Sequence, residues 1–249
     1  MATMILFDGV DIRSVADVKI EDIRVSAIQI KDVVRDRPIA AGATFVRPHY
    51  GTRTVTVTFA LLNEDRISRH AALMAINAWA RSDKEYKIEL PQSPDFYLVG
   101  VCTAKPDPSV RQWWESKLRL VFTCYENPFW TSKIEKSVAC GTSFTVFGDA
   151  EPLMRIEHTR TQAASGTYVR TIQRGGFEVE NARIRFSSIP AGNMVIDLNS
   201  ETAKVNSISI MDQYVYYSAY GTQYKWIVPM LGQQKISGDG TIKYRERWM

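Results

Sequence analysis

The sequence predicts a mainly β chain that carries one helix. Between Gly51 and Leu62, Val55, Val57 and Phe59 alternate with Thr54, Thr56 and Thr58, which is the two-residue period of a strand with one buried face. Mixtures of β-branched, aromatic and polar residues recur in Arg24–Val34, Leu118–Cys124, Ser143–Phe147, Tyr168–Gln173, Asn206–Tyr217 and Thr241–Trp248. One segment alone, after Asn63, has convincing helical spacing.

In chain order, a short strand Met4–Phe7 ends at an Asp8-Gly9 turn, and the long strand Arg24–Val34 follows. Residues Arg35 to Tyr50 read as a polar loop, because Pro38 and Pro48 interrupt strand pairing. With the Gly51–Leu62 strand they make a long hairpin, and a loop of this length is usually functional or disordered. The helix comes next, with Asn63 or Asp65 as its cap. Ile67, Ala71, Met74 and Ala78 fall on one face, widened by Leu73, Ile76 and Trp79, so this stripe is expected to pack on the sheet. Tyr86–Leu90 resumes strand character before Pro91-Gln92-Ser93-Pro94, and Phe96–Val101 pairs with Lys117–Cys124 around Lys105–Ser109.

A division falls at Asn127-Pro128-Phe129-Trp130, giving expected domains 1–128 and 129–249. Beyond it the pattern is free of helix. Strands alternate with turns at Cys140-Gly141, Gly148-Asp149, Arg174-Gly175-Gly176, Ala191-Gly192-Asn193 and Gly238-Asp239-Gly240, the rhythm of an antiparallel sandwich. Thr241–Trp248 is its closing strand, with Ile242, Tyr244 and Glu246 on one face.

The 249 residues suffice for one large or two ordinary domains, and 45% hydrophobic residues is the globular norm. Thirty-one Lys and Arg against 27 Asp and Glu are spread along the chain, which argues for a solvated surface of mixed sign and against a dedicated nucleic-acid face. Met4–Phe7 is too short for a signal peptide, and no apolar run approaches a membrane span, so no membrane insertion is expected. Cys102, Cys124 and Cys140 lack CxxC spacing, which favours reduced thiols and a chain folded in a cytoplasm.

The residues offer little chemistry. His49, His70 and His158 have no second ligand at metal spacing, and there is no GxSxG, Walker or GxGxxG element. Glu178 and Glu180 share a strand face, but solvated acids describe them better than a glycosidase pair. No enzyme activity, metal or cofactor is expected. Tyr214, Tyr216, Tyr217, Tyr220, Tyr224 and Trp226 are dense enough for an interaction surface. Strand alternation would place half of them in the core, and Tyr214, Tyr216, Tyr220 and Tyr224 are the surface candidates.

The segment Tyr50-Gly51-Thr52-Arg53-Thr54-Val55-Thr56-Val57-Thr58-Phe59, the helix after it and the break at Asn127-Pro128-Phe129-Trp130 together resemble the N-terminal domain of siphophage distal tail proteins, the Dit family. Asp149–Ile156 resembles that family's turn-Pro-strand, Met194–Asn199 its apolar-Ile-Asp strand, and Thr241–Trp248 its final Tyr-Arg-x-Arg-Trp strand. Pro229-Met230-Leu231-Gly232-Gln233-Gln234 departs from the family's Leu-x-Pro-Gly-x-Asn. The similarity covers nearly the whole chain.

The resemblance implies a tail-tube-like N-terminal β domain with a helix and a protruding hairpin, followed by a galectin-like β-sandwich. It implies a homo-hexameric ring in the virion tail, assembled in the host bacterial cytoplasm, that joins the tail tube protein to a tail-tip or tail-associated (Tal-like) protein. Receptor-binding or baseplate proteins would attach to this hub, and DNA would pass through it only as cargo. Open hairpin edges suit pairing with the next copy. Arg35, Arg37, Arg47 and Arg53 are expected at the ring interface, facing acids such as Asp32, Asp36 or Glu64, because a conduit lined with arginine would hold the DNA. A carbohydrate-binding adhesion module is the alternative, although the His-Asn-Pro-Arg and Trp-Gly-x-Glu elements of sugar-binding galectins are absent.

Overall fold

The computed structural model describes residues 4–28, 30–36, 43–106, 117–174, 177–215 and 226–249. The chain divides into two compact units, Met1–Trp130 and Thr131–Trp248. It is mainly β, with antiparallel pairing and a single α-helix among the described residues.

In the first unit, β1 (Leu6–Phe7) and β2 (Val10–Asp11) form a hairpin around Asp8 and Gly9. Both turn residues have positive φ, 52° and 79°, as a tight hairpin turn requires. After β3 (Val18–Val25) the chain runs out as β4 (Ile30–Asp36), returns as β5 (Ala43–Tyr50) and continues as β6 (Arg53–Leu61). β3 pairs with β6, while β4 and β5 pair with each other and, among the described residues, with no other strand. The expected continuous strand Arg24–Val34 is therefore broken at residues 26–28.

The expected loop Arg35–Tyr50 is also corrected, since Ala43–Tyr50 is a strand and Pro48 stands opposite Asp32 within it. Proline removes only an N–H, and each strand of a two-stranded ribbon has one side without a ladder partner, so the ribbon tolerates it. Pro38 lies outside the described residues.

Helix α1 (Arg66–Trp79) starts where Asp65 Oδ1 accepts the Ser68 N–H at 2.9 Å. β7 (Glu85–Glu89), β8 (Phe96–Ala104) and β9 (Leu118–Cys124) complete a sheet in the order β3-β6-β9-β8-β7-β1-β2. Strict alternation along β6 buries Val55, Val57 and Phe59. They share a core with Leu73 and Ile76 of α1, and with Phe7, Tyr86, Leu98 and Phe122. Phe7 stacks on Phe122 at 4.6 Å and meets Trp79 edge-on at 5.3 Å.

A short strand β10 (Trp130–Ser132) opens at the division. The second unit then contributes β11 (Lys136–Ala139), β12 (Ser143–Val146), β13 (Ala150–Arg160), β14 (Ala164–Arg174) and β15 (Phe177–Ile189). It continues with β16 (Gly192–Asp197), β17 (Thr202–Val205), β18 (Ile208–Ser209), β19 (Gly232–Ser237) and β20 (Thr241–Trp248). One sheet runs β18-β17-β16-β13-β20 with β11 also on β20, and the other runs β12-β19-β14-β15. Ile156, Ile196 and Ile242 of the first sheet pack with Tyr168, Ile184 and Ile236 of the second. This is a sandwich core, filled by alternate residues of each strand.

The closing strand has the expected alternation, with Ile242, Tyr244 and Glu246 buried. The expected strand Asn206–Tyr217 does not form over residues 206–215, and Tyr216 and Tyr217 lie outside the described residues. Asn206 and Ser207 turn at φ 48° and 69°, β18 lasts two residues, and a 3₁₀ turn occupies Met211–Gln213.

Candidate assembly surfaces

Among the described residues, no group of His, Cys, Asp and Glu is placed to hold a metal ion. Cys102 and Cys124 are buried in strands, and burial pushes the Cys124 and Cys140 thiols up to about 11, which makes them poor nucleophiles near neutral pH. No helix of the described residues is long and apolar enough to cross a membrane, a statement that does not extend to strands. The features that ask for an explanation are surfaces.

The first is the β4–β5 ribbon, whose outer backbone edges have no strand partner among the described residues. Arg35 lies on β4 opposite Thr44 and Arg47 on β5 opposite Val33, while Arg37 lies outside the described residues. Arg53 does not belong with them. It is 4% exposed, its guanidinium lies 5.7 Å over the Trp130 ring, and Nε and Nη1 have no hydrogen-bond partner. Burial lowers its pKa. Arg53 has the same parity as Val55, Val57 and Phe59, so the alternation that makes the strand also turns this arginine inward.

The second surface is the outer face of α1. Ile67 is 82% exposed and Met74 50%, and Ala71, Ala75 and Ala78 are exposed between and beside them. The sheet instead receives Ala72, Leu73, Ile76 and Ala80, a stripe displaced around the helix from the expected one. The helix is apolar on both sides, so periodicity alone could not choose. The larger set including Trp79, which meets Phe7, takes the core.

In the second unit, Tyr214 is 8% exposed and not a surface residue, because the 3₁₀ turn before it directs the ring inward to Phe186 at 6.0 Å and Trp226 at 5.4 Å. Tyr216, Tyr220 and Tyr224 lie outside the described residues. What the sequence reading missed is an ion-pair network on the outer face of the β13–β20 sheet. Arg155 donates to both Glu135 oxygens at 2.8 and 3.1 Å and to Glu157 at 2.6 Å. Lys243 Nζ lies 2.7 Å from Glu157, and Arg245 Nε 3.5 Å from Glu135. Lys243 and Arg155 together hold the Glu157 carboxyl below its ordinary range. Its sequence signal is the i, i+2 spacing of Arg155 and Glu157 and of Lys243 and Arg245, which places each pair on one outer strand face.

No protein-family model matches the chain, and no curated protein matches it by sequence. Solved structures do match. The Dit (gp 19.1) protein of phage SPP1, described as a paradigm of the hub adsorption apparatus in phages infecting Gram-positive hosts, aligns over 100% of both chains with a TM-score of 0.71 at 16% identity. Chains of the phage p2 baseplate in its activated conformation align over 98% of this chain and 97% of theirs. The calcium form gives a TM-score of 0.53 at 9% identity and the strontium form 0.55 at 10%. Over its whole length, the chain has the Dit fold.

Proposed function

We propose that the chain is a distal tail protein of a phage with a long non-contractile tail, or of a particle derived from such a tail. In this reading, six copies close into a ring that joins the tail tube to the tip or baseplate. The first unit makes the ring, the galectin-like sandwich faces outward toward adhesion proteins, and DNA crosses the centre as cargo. The virion tail is then its site of action.

The observation that carries the reading is the end-to-end alignment with a hub protein, both chains covered completely. The surfaces are in keeping with it. A ribbon with open edges and a helix with an uncovered apolar face give a copy two places to meet its neighbour, and contiguous apolar exposure of this kind marks protein contacts. Arg35 and Arg47 on the ribbon remain candidates for charge pairing across that contact, where each pair would add only about 0–1 kcal/mol and mainly fix register.

Negative-stain electron microscopy of the purified chain tests the proposal. Closed rings with a central opening are expected, and a field of compact single particles would reject it.

A further inference from the structure

On the solvent side of the first unit's sheet, β3, β6 and β9 frame a depression of about 340 Å³. Asp22, Thr58 and Arg119 form one row across its floor and Arg24 and Thr56 a second, each set by direct strand pairing. A bulge between Ile20 and Asp22 leaves Glu21 without an opposite residue, and Glu21 joins Asp22 in the lining.

Most of the charge here is already matched. Arg24 Nε sits 2.5 Å from Asp22, and Lys117 Nζ 3.8 Å from Glu21. Arg119 has no such partner among the described residues, and directly beside it the Thr58 hydroxyl, with that of Thr56 in the next row, is equally uncommitted. The depression therefore presents one guanidinium fork and two hydroxyls with no acceptor among the described residues, and the charge of its lining is one positive. A fork of N–H groups with adjacent hydroxyls is the donor set of a single tetrahedral oxyanion.

We propose that this depression is a phosphate site, with Arg119 as the binding cation and Thr58 and Thr56 as supporting donors. The flanking acids keep it weak. With a surplus of only one charge, the site holds a phosphate group weakly and exchanges it rapidly. The site stands on the geometry of the first unit. Its use by a nucleic-acid backbone rests on the proposed tail function.

The test is ³¹P line broadening of inorganic phosphate titrated with the full chain. Saturable broadening is expected, reduced about tenfold in apparent affinity by Arg119→Gln and to a lesser degree by Thr58→Val, both on an exposed face. Broadening that is absent, or that is unchanged in Arg119→Gln with an unaltered circular dichroism melt, overturns the site. Displacement of phosphate by a short DNA duplex identifies the backbone as its source, and phosphate binding without displacement identifies the free anion. The oligomer mass of Arg119→Gln is read separately, so failure of this site and failure of the ring reading are distinguishable.

Discussion

Tyr86 closes the C-terminal end of α1 through Trp79. Its Oη donates to the Trp79 carbonyl at 2.5 Å and accepts the Arg81 N–H at 2.9 Å, while its ring meets Phe122 edge-on at 5.6 Å. A helix end leaves carbonyls without partners, and here a tyrosine from the next strand supplies one. Tyr86→Phe keeps the ring and removes both bonds. Because the Arg81 N–H also reaches the Trp79 carbonyl at 2.9 Å, the expected loss is about 1 kcal/mol rather than the 3 of a fully orphaned group. Urea denaturation measures it, and an unchanged midpoint would remove Tyr86 from the account of helix termination.

The two faces of α1 should respond oppositely to substitution. Leu73→Ala or Ile76→Ala opens a cavity in a core where these side chains are 2% and 0% exposed, a loss of about 2–4 kcal/mol. Ile67→Asp with Met74→Asp changes exposed positions and should shift stability by about 0.5 kcal/mol or less, while weakening association between copies. Thermal melts and sedimentation of the same samples separate the two effects. A large loss of stability in the Asp variant would mean that the outer face is not free.

Glu157 gives the second unit an acid limb. Its folded pKa is depressed, first by the Lys243 hydrogen bond and then by that from Arg155, so its contribution is present above the unfolded carboxylate value, about 4.3. That contribution is lost as pH falls through the lower folded value. The side chain is half-buried and still screened by solvent, which holds the effect to about 0.5 kcal/mol. Glu157→Gln should flatten the fall in melting temperature as pH drops below the ordinary carboxylate range, and an identical acid limb in the variant would contradict the assignment.

Thr241–Trp248 is expected to be indispensable to the sandwich. It lies between β13 and β11, brings Ile242 and Tyr244 into the core, and carries Glu246, which accepts from Lys136 Nζ at 2.6 Å and from the Phe147 N–H at 3.1 Å. A fragment of residues 129–240 should lack a cooperative melt, whereas one of 129–249 should have it. Near-ultraviolet circular dichroism distinguishes them, and a native-like spectrum of the shorter fragment would refute the closing role.

Strands announced themselves wherever one face is buried and the other wet. Val55, Val57 and Phe59 against three threonines left one register open, and Ile242 to Glu246 behaved alike. The β4–β5 ribbon was partly hidden because Pro48 was read as a strand breaker, whereas a two-stranded ribbon tolerates proline on its unpaired side. On α1, alanines on both sides removed the contrast that tells core from solvent. Arg53 was misassigned by its charge although its parity was correct, and Tyr214 was misplaced because a strand was extended through residues that turn. Assembly leaves the weakest trace in sequence, since an exposed apolar stripe and a buried one read identically.

The most direct measurement of the central claim is the mass of the purified full chain by mass photometry. A dominant species of six times the 28.3 kDa protomer that persists on dilution is expected. A monomer or a dimer as the sole species across the concentration range would contradict it.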